Sequence, residues 1–304
     1  MIYDAVIVGG GPAGLAAALA LGRARKRVLL CDFGPRRNAA AVHIHNFVTR
    51  DGTPPHEFRR IGREELEAYP NVEVRDVAIE AIDGERGAFQ VRLAEGEVAA
   101  RRIVLCTGMV DELPELPGFR ELWGTSIFQC PYCHGWEIQG RAFGALVSSV
   151  EMLEFALLLR GWSGRVVALT DGKFALPSEV AARLRSGGVE VDERPLARLI
   201  TGEAGELERI EFVEGDPLPL QVLFARPPQR QVAIVQSLGL SLDPAGFVSV
   251  DEVSRETSRS GIYAGGDLTT PMQGAVIAAA SGVVAASMLN HALTVELATA
   301  GALP

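Results

Sequence analysis

Two cysteines separated by two residues carry the most direct chemistry in this chain: Cys130-Pro131-Tyr132-Cys133, followed by His134-Gly135-Trp136-Glu137. A pair at this spacing can close a small disulfide ring at the start of a helix, where the helix N-terminus favours the reactive thiolate. The segment therefore reads as a redox dithiol. Other uses of the pattern have requirements of their own. A zinc site needs a second ligand pair, and none stands at suitable spacing, so no metal is expected. Cys-x-x-Cys-His also attaches c-type haem, which requires export and haem ligation. A pair of inert buried thiols fits poorly beside Pro131, Tyr132, His134 and Trp136.

The second chemical signal is at the N-terminus. Gly9-Gly10-Gly11-Pro12-Ala13-Gly14 matches Gly-x-Gly-x-x-Gly at Gly9, Gly11 and Gly14. In that pattern the first glycine makes the tight turn, the second admits a pyrophosphate and the third lets helix and strand pack closely. Pro12 and Ala13 then open a helix whose free N–H groups and dipole favour phosphate. Asp32 lies 18 residues beyond Gly14, at the end of the next apolar run, where a carboxylate accepts hydrogen bonds from a ribose. The alternative is a glycine-rich turn with no ligand. The motif alone does not choose between NAD and FAD. Gly261-Ile-Tyr-Ala-Gly-Gly266-Asp267 does, because it resembles the second FAD motif of flavoproteins that bind two dinucleotides. That resemblance gives Asp267, with Gly266 before it, to the ribityl or pyrophosphate region, and puts Gln273 near the flavin ring. An ordinary strand end is the alternative.

The elements needed to position these groups are legible. Ala5–Val8 and Val28–Cys31 are short apolar runs of the buried parallel-strand kind, with an Ala/Leu-rich helix between them. A polar helix is expected over Glu57–Ala68, and a small antiparallel ribbon between Val72 and Leu105. Ile103–Leu105 returns to the sheet and ends at Thr107-Gly108. Asp111–Gly118, with two prolines, reads as a linker. A second βα series follows: strand Phe143–Val147, helix near Met152–Arg160, strand Val166–Leu169, helix near Ser178–Arg185 and strand Val189–Val191. The fold class is α/β, with two Rossmann-like doubly wound domains. An FAD domain of residues 1–112 and 243–304 is interrupted by a central domain, 113–242. Cys31 and Cys106, each ending an apolar run, are expected in cores.

Bulk properties agree. With 304 residues, 48% hydrophobic, the chain suits two domains. A net charge of -9 with no basic run argues against nucleic acid or anionic membrane as partner. The run Ala275–Leu289 reads as too short for a bilayer, and no signal-peptide pattern opens the chain, so a cytoplasmic location is expected.

Along nearly its whole length the chain resembles low-molecular-weight thioredoxin reductases. The order matches: FAD fingerprint, Thr107-Gly108 strand end, Cys-x-x-Cys opening the central domain, Gly-Asp motif. Within that family Cys-Pro-Tyr-Cys-His-Gly-Trp-Glu is most similar to the dithiol oxidases that close disulfides in gliotoxin-, holomycin- and romidepsin-type natural products. Ordinary thioredoxin reductases have Asp where this chain has His134. The resemblance implies that Cys133 faces the flavin and Cys130 exchanges with substrate. His134 is then the acid/base, its imidazole titrating near neutral pH, with a capping or packing histidine as the alternative. A homodimer is implied by the family alone.

One part of the family pattern fails. Where the central domain should carry a second glycine fingerprint for NADPH, aligning the strands places Val147, Ser149 and Met152, with Glu151 among them. Where a His-Arg-Arg stretch should hold the 2′-phosphate, the chain has Thr170-Asp171-Gly172. The expectation is a central domain that kept its fold and lost NADPH. Electrons then pass from a small-molecule dithiol to Cys130–Cys133, to FAD and to oxygen. The rival readings are a reductase of a thioredoxin-like protein, fed by ferredoxin or a degenerate NADPH site, and a flavin redox sensor without turnover.

Overall fold

The computed structural model describes residues 2–303. Along the chain the elements are β1 Ile2–Val8, α1 Pro12–Arg23, β2 Val28–Cys31, α2 Pro55–Glu67, β3 Val72–Arg75, β4 Ile79–Asp83, β5 Phe89–Leu93, β6 Gly96–Leu105 and β7 Val110–Asp111. Next come α3 Phe119–Leu122, β8 Ile127–Phe128, α4 Pro131–His134, β9 Phe143–Leu146, α5 Leu153–Leu159, β10 Val166–Leu169, α6 Ser178–Ser186, β11 Val189–Asp192, β12 Leu196–Thr201, β13 Leu207–Phe212, β14 Leu218–Pro219 and β15 Val222–Ala225. The last are β16 Gln229–Arg230, α7 Ala233–Ser237, β17 Ile262–Ala264 and α8 Ala275–Thr299.

Two compact units result, Met1–Val110 with Gln229–Pro304, and Asp111–Pro228. The second boundary lies earlier than the 242/243 expected from sequence. The reason is apolar: Val235, Leu238 and Leu240 are buried in the same cluster as Val6, Leu29 and Ile103, so the segment after Pro228 belongs to the first unit's core.

In the first unit β3, β2, β1, β6 and β17 pair in parallel, and β5 and β4 extend the sheet in antiparallel fashion. β3 was expected in the small ribbon. Instead it pairs with β2, Val72 opposite Val28 and Val74 opposite Leu30. Its alternating Val-Glu-Val-Arg pattern suits either place, because an edge strand of a parallel sheet is also half exposed.

The last helix also departs from expectation. The run Ala275–Leu289, read as too short for a bilayer, is part of a longer helix, and at 25 residues α8 is long and apolar enough to cross one by length and composition. Its small-residue face is used inside the unit. Gly282 packs so closely on Ala13 of α1 that an added Cβ would stand 2.2 Å from the Ala13 carbonyl oxygen. Ala285, Leu289 and Leu293 continue the same buried stripe.

The second unit has a five-stranded parallel sheet in the order β11-β10-β9-β15-β8, with the antiparallel β12-β13-β14 beside it. Phe128, Phe143 and Phe224 fill the core under one face. Cys31 and Cys106 are buried, and burial pushes both thiols up to about 12.

Candidate functional site

The fingerprint residues form a cradle in the first unit. Gly9 has φ +103°, and an added Cβ would stand 2.5 Å from the Cys106 carbonyl oxygen, so its absence lets the end of β6, with Thr107 and Gly108, close on the turn. At Gly14 a Cβ would stand 1.8 Å from the Gly9 carbonyl oxygen. At Gly11 it would meet nothing within 4 Å, so that position faces open space. Pro12 and Ala13 begin α1, whose first turn has no acidic residue and no side-chain cap. A bare helix N-terminus next to an open glycine is what a dinucleotide pyrophosphate requires.

Asp32 is held at the edge of this cradle. Gly10 donates its N–H to one carboxylate oxygen at 3.0 Å, while Arg59 Nε at 2.9 Å and Arg36 at 3.3 Å donate to the other. Burial alone would raise the Asp32 carboxyl. The Gly10 N–H and the Arg59 guanidinium outweigh it and hold the group below the ordinary carboxylate range. Gly266 comes next to α1, an added Cβ standing 3.0 Å from that of Ala13. Arg37 donates to Asp267 at 3.1 Å and to the Gln273 side-chain oxygen at 2.6 Å, and Gln273 donates to Gln229 at 2.8 Å. The fold thus gathers Gly9, Gly11, Pro12, Ala13, Gly14, Asp32, Thr107, Gly108, Gly266, Asp267 and Gln273 within one unit. The sequence reading missed Arg37 and Arg59, which lie in a loop and a polar helix with no motif around them.

The dithiol belongs to the second unit. Cys130 follows β8 with extended backbone (φ −124°, ψ 116°) and precedes α4, where Pro131 supplies the preset φ of a first helical position. Both cysteines are thiols, partly buried. The Cys133 thiol hydrogen-bonds the Cys130 sulfur. Burial opposes ionisation, but the N–H groups of Cys133 and Tyr132 and the Arg226 charge favour it. Together they bring the Cys130 thiol down to about 7. The His134 ring stacks on Phe128, centroids 4.4 Å apart and planes at 21°. The Tyr132 ring meets Trp162 edge-on at 5.2 Å, and Tyr132 and Trp136 are both exposed. Arg226, one residue past β15 and before Pro227-Pro228, carries no motif that marks it in the sequence.

The turn after β9 is built differently from the cradle. Val147 is fully buried, and Met152 packs against the Phe128–Phe224 core. The Glu151 carboxylate accepts hydrogen bonds from the Ser149 hydroxyl and its own N–H, which hold it below the ordinary carboxylate range. At the end of β10 the Asp171 carboxylate accepts the Leu196 N–H at 2.7 Å and pairs with Lys173 at 3.2 Å. Among the described residues no cluster of His, Cys, Asp and Glu could hold a metal ion.

Paired nucleotide-type folds with a dithiol opening one of them mark a disulfide oxidoreductase of the thioredoxin reductase-like fold. The chain belongs to the pyridine nucleotide-disulphide oxidoreductase family, which it matches over residues 3–282. It is 31% identical to the thioredoxin reductase tcpT of Claviceps purpurea, over 97% of this chain and 96% of the relative. Two solved structures superpose with a TM-score of 0.90. One, HlmI, is 36% identical over 99% of this chain and 95% of its own. The other, an oxidoreductase from Agrobacterium tumefaciens, is 33% identical over 97% and 99%.

Proposed function

We propose that this oxidoreductase is an FAD-dependent dithiol oxidase, which closes a disulfide in a small-molecule dithiol through Cys130 and Cys133 with oxygen as acceptor. The observation that carries the reading is the filled turn after β9. A buried Val147 and a carboxylate seated on the local N–H group stand where an NADPH pyrophosphate would bind. A donor domain without a donor site leaves the substrate itself as the source of electrons.

FAD fits the cradle of the first unit. Gly9–Gly14 and the start of α1 would hold its pyrophosphate, Asp32 its ribose, and Asp267 and Gln273 its ribityl and ring end. Bound there, it supplies a two-electron acceptor that oxygen can reoxidise.

The chain's own residues do the sulfur chemistry. A substrate thiolate attacks Cys130 of the oxidised pair, and Cys133 leaves with the electron pair. The second substrate thiolate then attacks the substrate sulfur of the mixed disulfide, and Cys130 leaves. A thiol brought down to about 7 is a good leaving group near neutral pH. His134 takes the proton of the attacking thiol and returns one to the departing sulfur. By resemblance to the family, Cys133 would be the sulfur that hands the electron pair to a bound flavin.

The names of several relatives favour a second reading, thioredoxin reductase, in which the pair runs the other way toward a thioredoxin-like protein. We further propose a cytoplasmic homodimer. Val276, Val283, Val284 and Val295 share one exposed face of α8, which a second copy would cover. Light scattering at twice the chain mass supports the dimer, and a monomer removes it. Steady-state oxygen uptake with dithiothreitol, one peroxide per disulfide and absent in Cys133→Ser, is the result the oxidase reading requires. No turnover with any dithiol would leave the reductase or a sensor.

A further inference from the structure

We propose that Arg226 is a positioning residue for disulfide exchange, its guanidinium set beside Cys130 to stabilise that sulfur as a departing thiolate. The inference rests on the reading of Cys130 as the exchange cysteine.

The placement follows from register. β8 and β15 are adjacent parallel strands with Phe128 opposite Phe224. Two residues further on in each segment stand Cys130 and Arg226. Adjacent strands lie about 4.8 Å apart, and a period of two returns each side chain to the same face. Phe128 and Phe224 both point into one core cluster, so that face is defined. Cys130 keeps extended backbone, and Pro227 disfavours helical backbone at Arg226. The guanidinium is anchored, its Cζ 4.2 Å above the centroid of Phe155, and Phe155 stands edge-on to Phe224 at 6.1 Å. A stacked guanidinium is weakly hydrated and always charged. The groups that act on Cys130 are the Cys133 thiol, the N–H groups of Tyr132 and Cys133, and Arg226. His134, stacked on Phe128, is the further titratable group on the same helix. Arg226 is the one side-chain cation among the groups that act on Cys130.

In the exchange, the second substrate thiolate forms the product S–S bond while the substrate–Cys130 bond breaks. The electron pair leaves on Cys130 Sγ. Two electrons and two protons have then passed from the dithiol to the cysteine pair. Arg226 faces the negative charge at that moment. In the reverse direction it faces the same charge on Cys130 as attacking thiolate, so its effect does not depend on the physiological direction.

The test uses the reduced full-length protein with its flavin. Iodoacetamide alkylation is followed from pH 5 to 10, the modified cysteine being located by mass spectrometry. The wild-type midpoint at Cys130 is expected near 7. Arg226→Gln should raise it by about half a unit, and slow single-turnover reduction of the disulfide by dithiothreitol roughly twofold to fivefold. Arg226→Lys should retain most of the wild-type value. Raising salt from about 0.05 to about 0.5 M should move wild type toward Arg226→Gln and leave that variant in place, because only a charge is screened. Equal midpoints and equal salt responses in wild type and Arg226→Gln would overturn the proposal. Alkylation centred on Cys133 would instead overturn the underlying role of Cys130, and the position of the label separates the two failures.

Discussion

The turn at Gly9–Gly14 and the turn at Val147–Met152 occupy the same place in two similar folds, between a first parallel strand and its helix. In the first, close contacts replace side chains: β6 closes on Gly9, α1 closes on the strand through Gly14, and Gly11 faces open space. In the second, Val147 is part of the core and Glu151 sits on the local N–H group. The fold therefore does not decide whether a phosphate binds. If a phosphate binds at the first turn and not at the second, the difference lies in three missing Cβ atoms and a first helical turn without an acid, since neither turn has a side-chain cap. A carboxylate at the same point is an anion the protein already carries, and an incoming phosphate would have to displace it against charge repulsion.

The sharpest way to break this comparison is Gly11→Val. Its backbone is extended and an added Cβ meets nothing, so the fold should be unchanged while FAD loading collapses. A yellow, fully loaded Gly11→Val protein would mean that the cradle does not hold the flavin. Next in size is His134→Ala, expected to slow dithiol oxidation by about 10²–10⁴-fold with FAD content unchanged. A rate within twofold of wild type across pH would reduce His134 to a packing ring on Phe128.

A smaller effect should appear on acidification. Asp32 has a folded pKa below its unfolded value, so its stabilisation is complete above about pH 4 and is lost as pH falls through the folded value. Asp32→Asn should therefore lower the melting temperature at pH 7, and the gap to wild type should close in acid. A gap that widens in acid would contradict the sign. Smallest of all, Glu151→Gly should change the rate of flavin reduction by NADPH less than about threefold, because Val147 and Asp171 remain. A large gain would mean that one carboxylate alone blocks a working site.

Much of this was legible in the residues. The glycine spacing, Asp32 and the Cys-x-x-Cys segment carry their geometry locally, because a turn or a helix start is set by a few neighbours. The side chains that replace glycines in the second turn, Val147, Ser149 and Met152, were legible for the same reason. Arg59 on Asp32, Arg37 on Asp267 and Gln273, and Arg226 beside Cys130 were not, since each is a long side chain brought in from another element with no local pattern to mark it. The boundary after Pro228 was missed because α7 is short, and its assignment depends on which core takes Val235 and Leu240. β3 was misplaced because alternation describes a half-buried strand without naming its partner.

The most direct test of the central claim is anaerobic stopped-flow reduction of the flavin by NADPH, NADH and dithiothreitol in parallel, followed by admission of oxygen. A dithiol oxidase should bleach rapidly with the dithiol and little with either nucleotide, and should release peroxide on reoxidation. Two lost arginine contacts to the 2′-phosphate alone should weaken NADPH by roughly 10²–10⁴-fold. Rapid bleaching by micromolar NADPH would contradict it and make the protein a nucleotide-fed thioredoxin reductase.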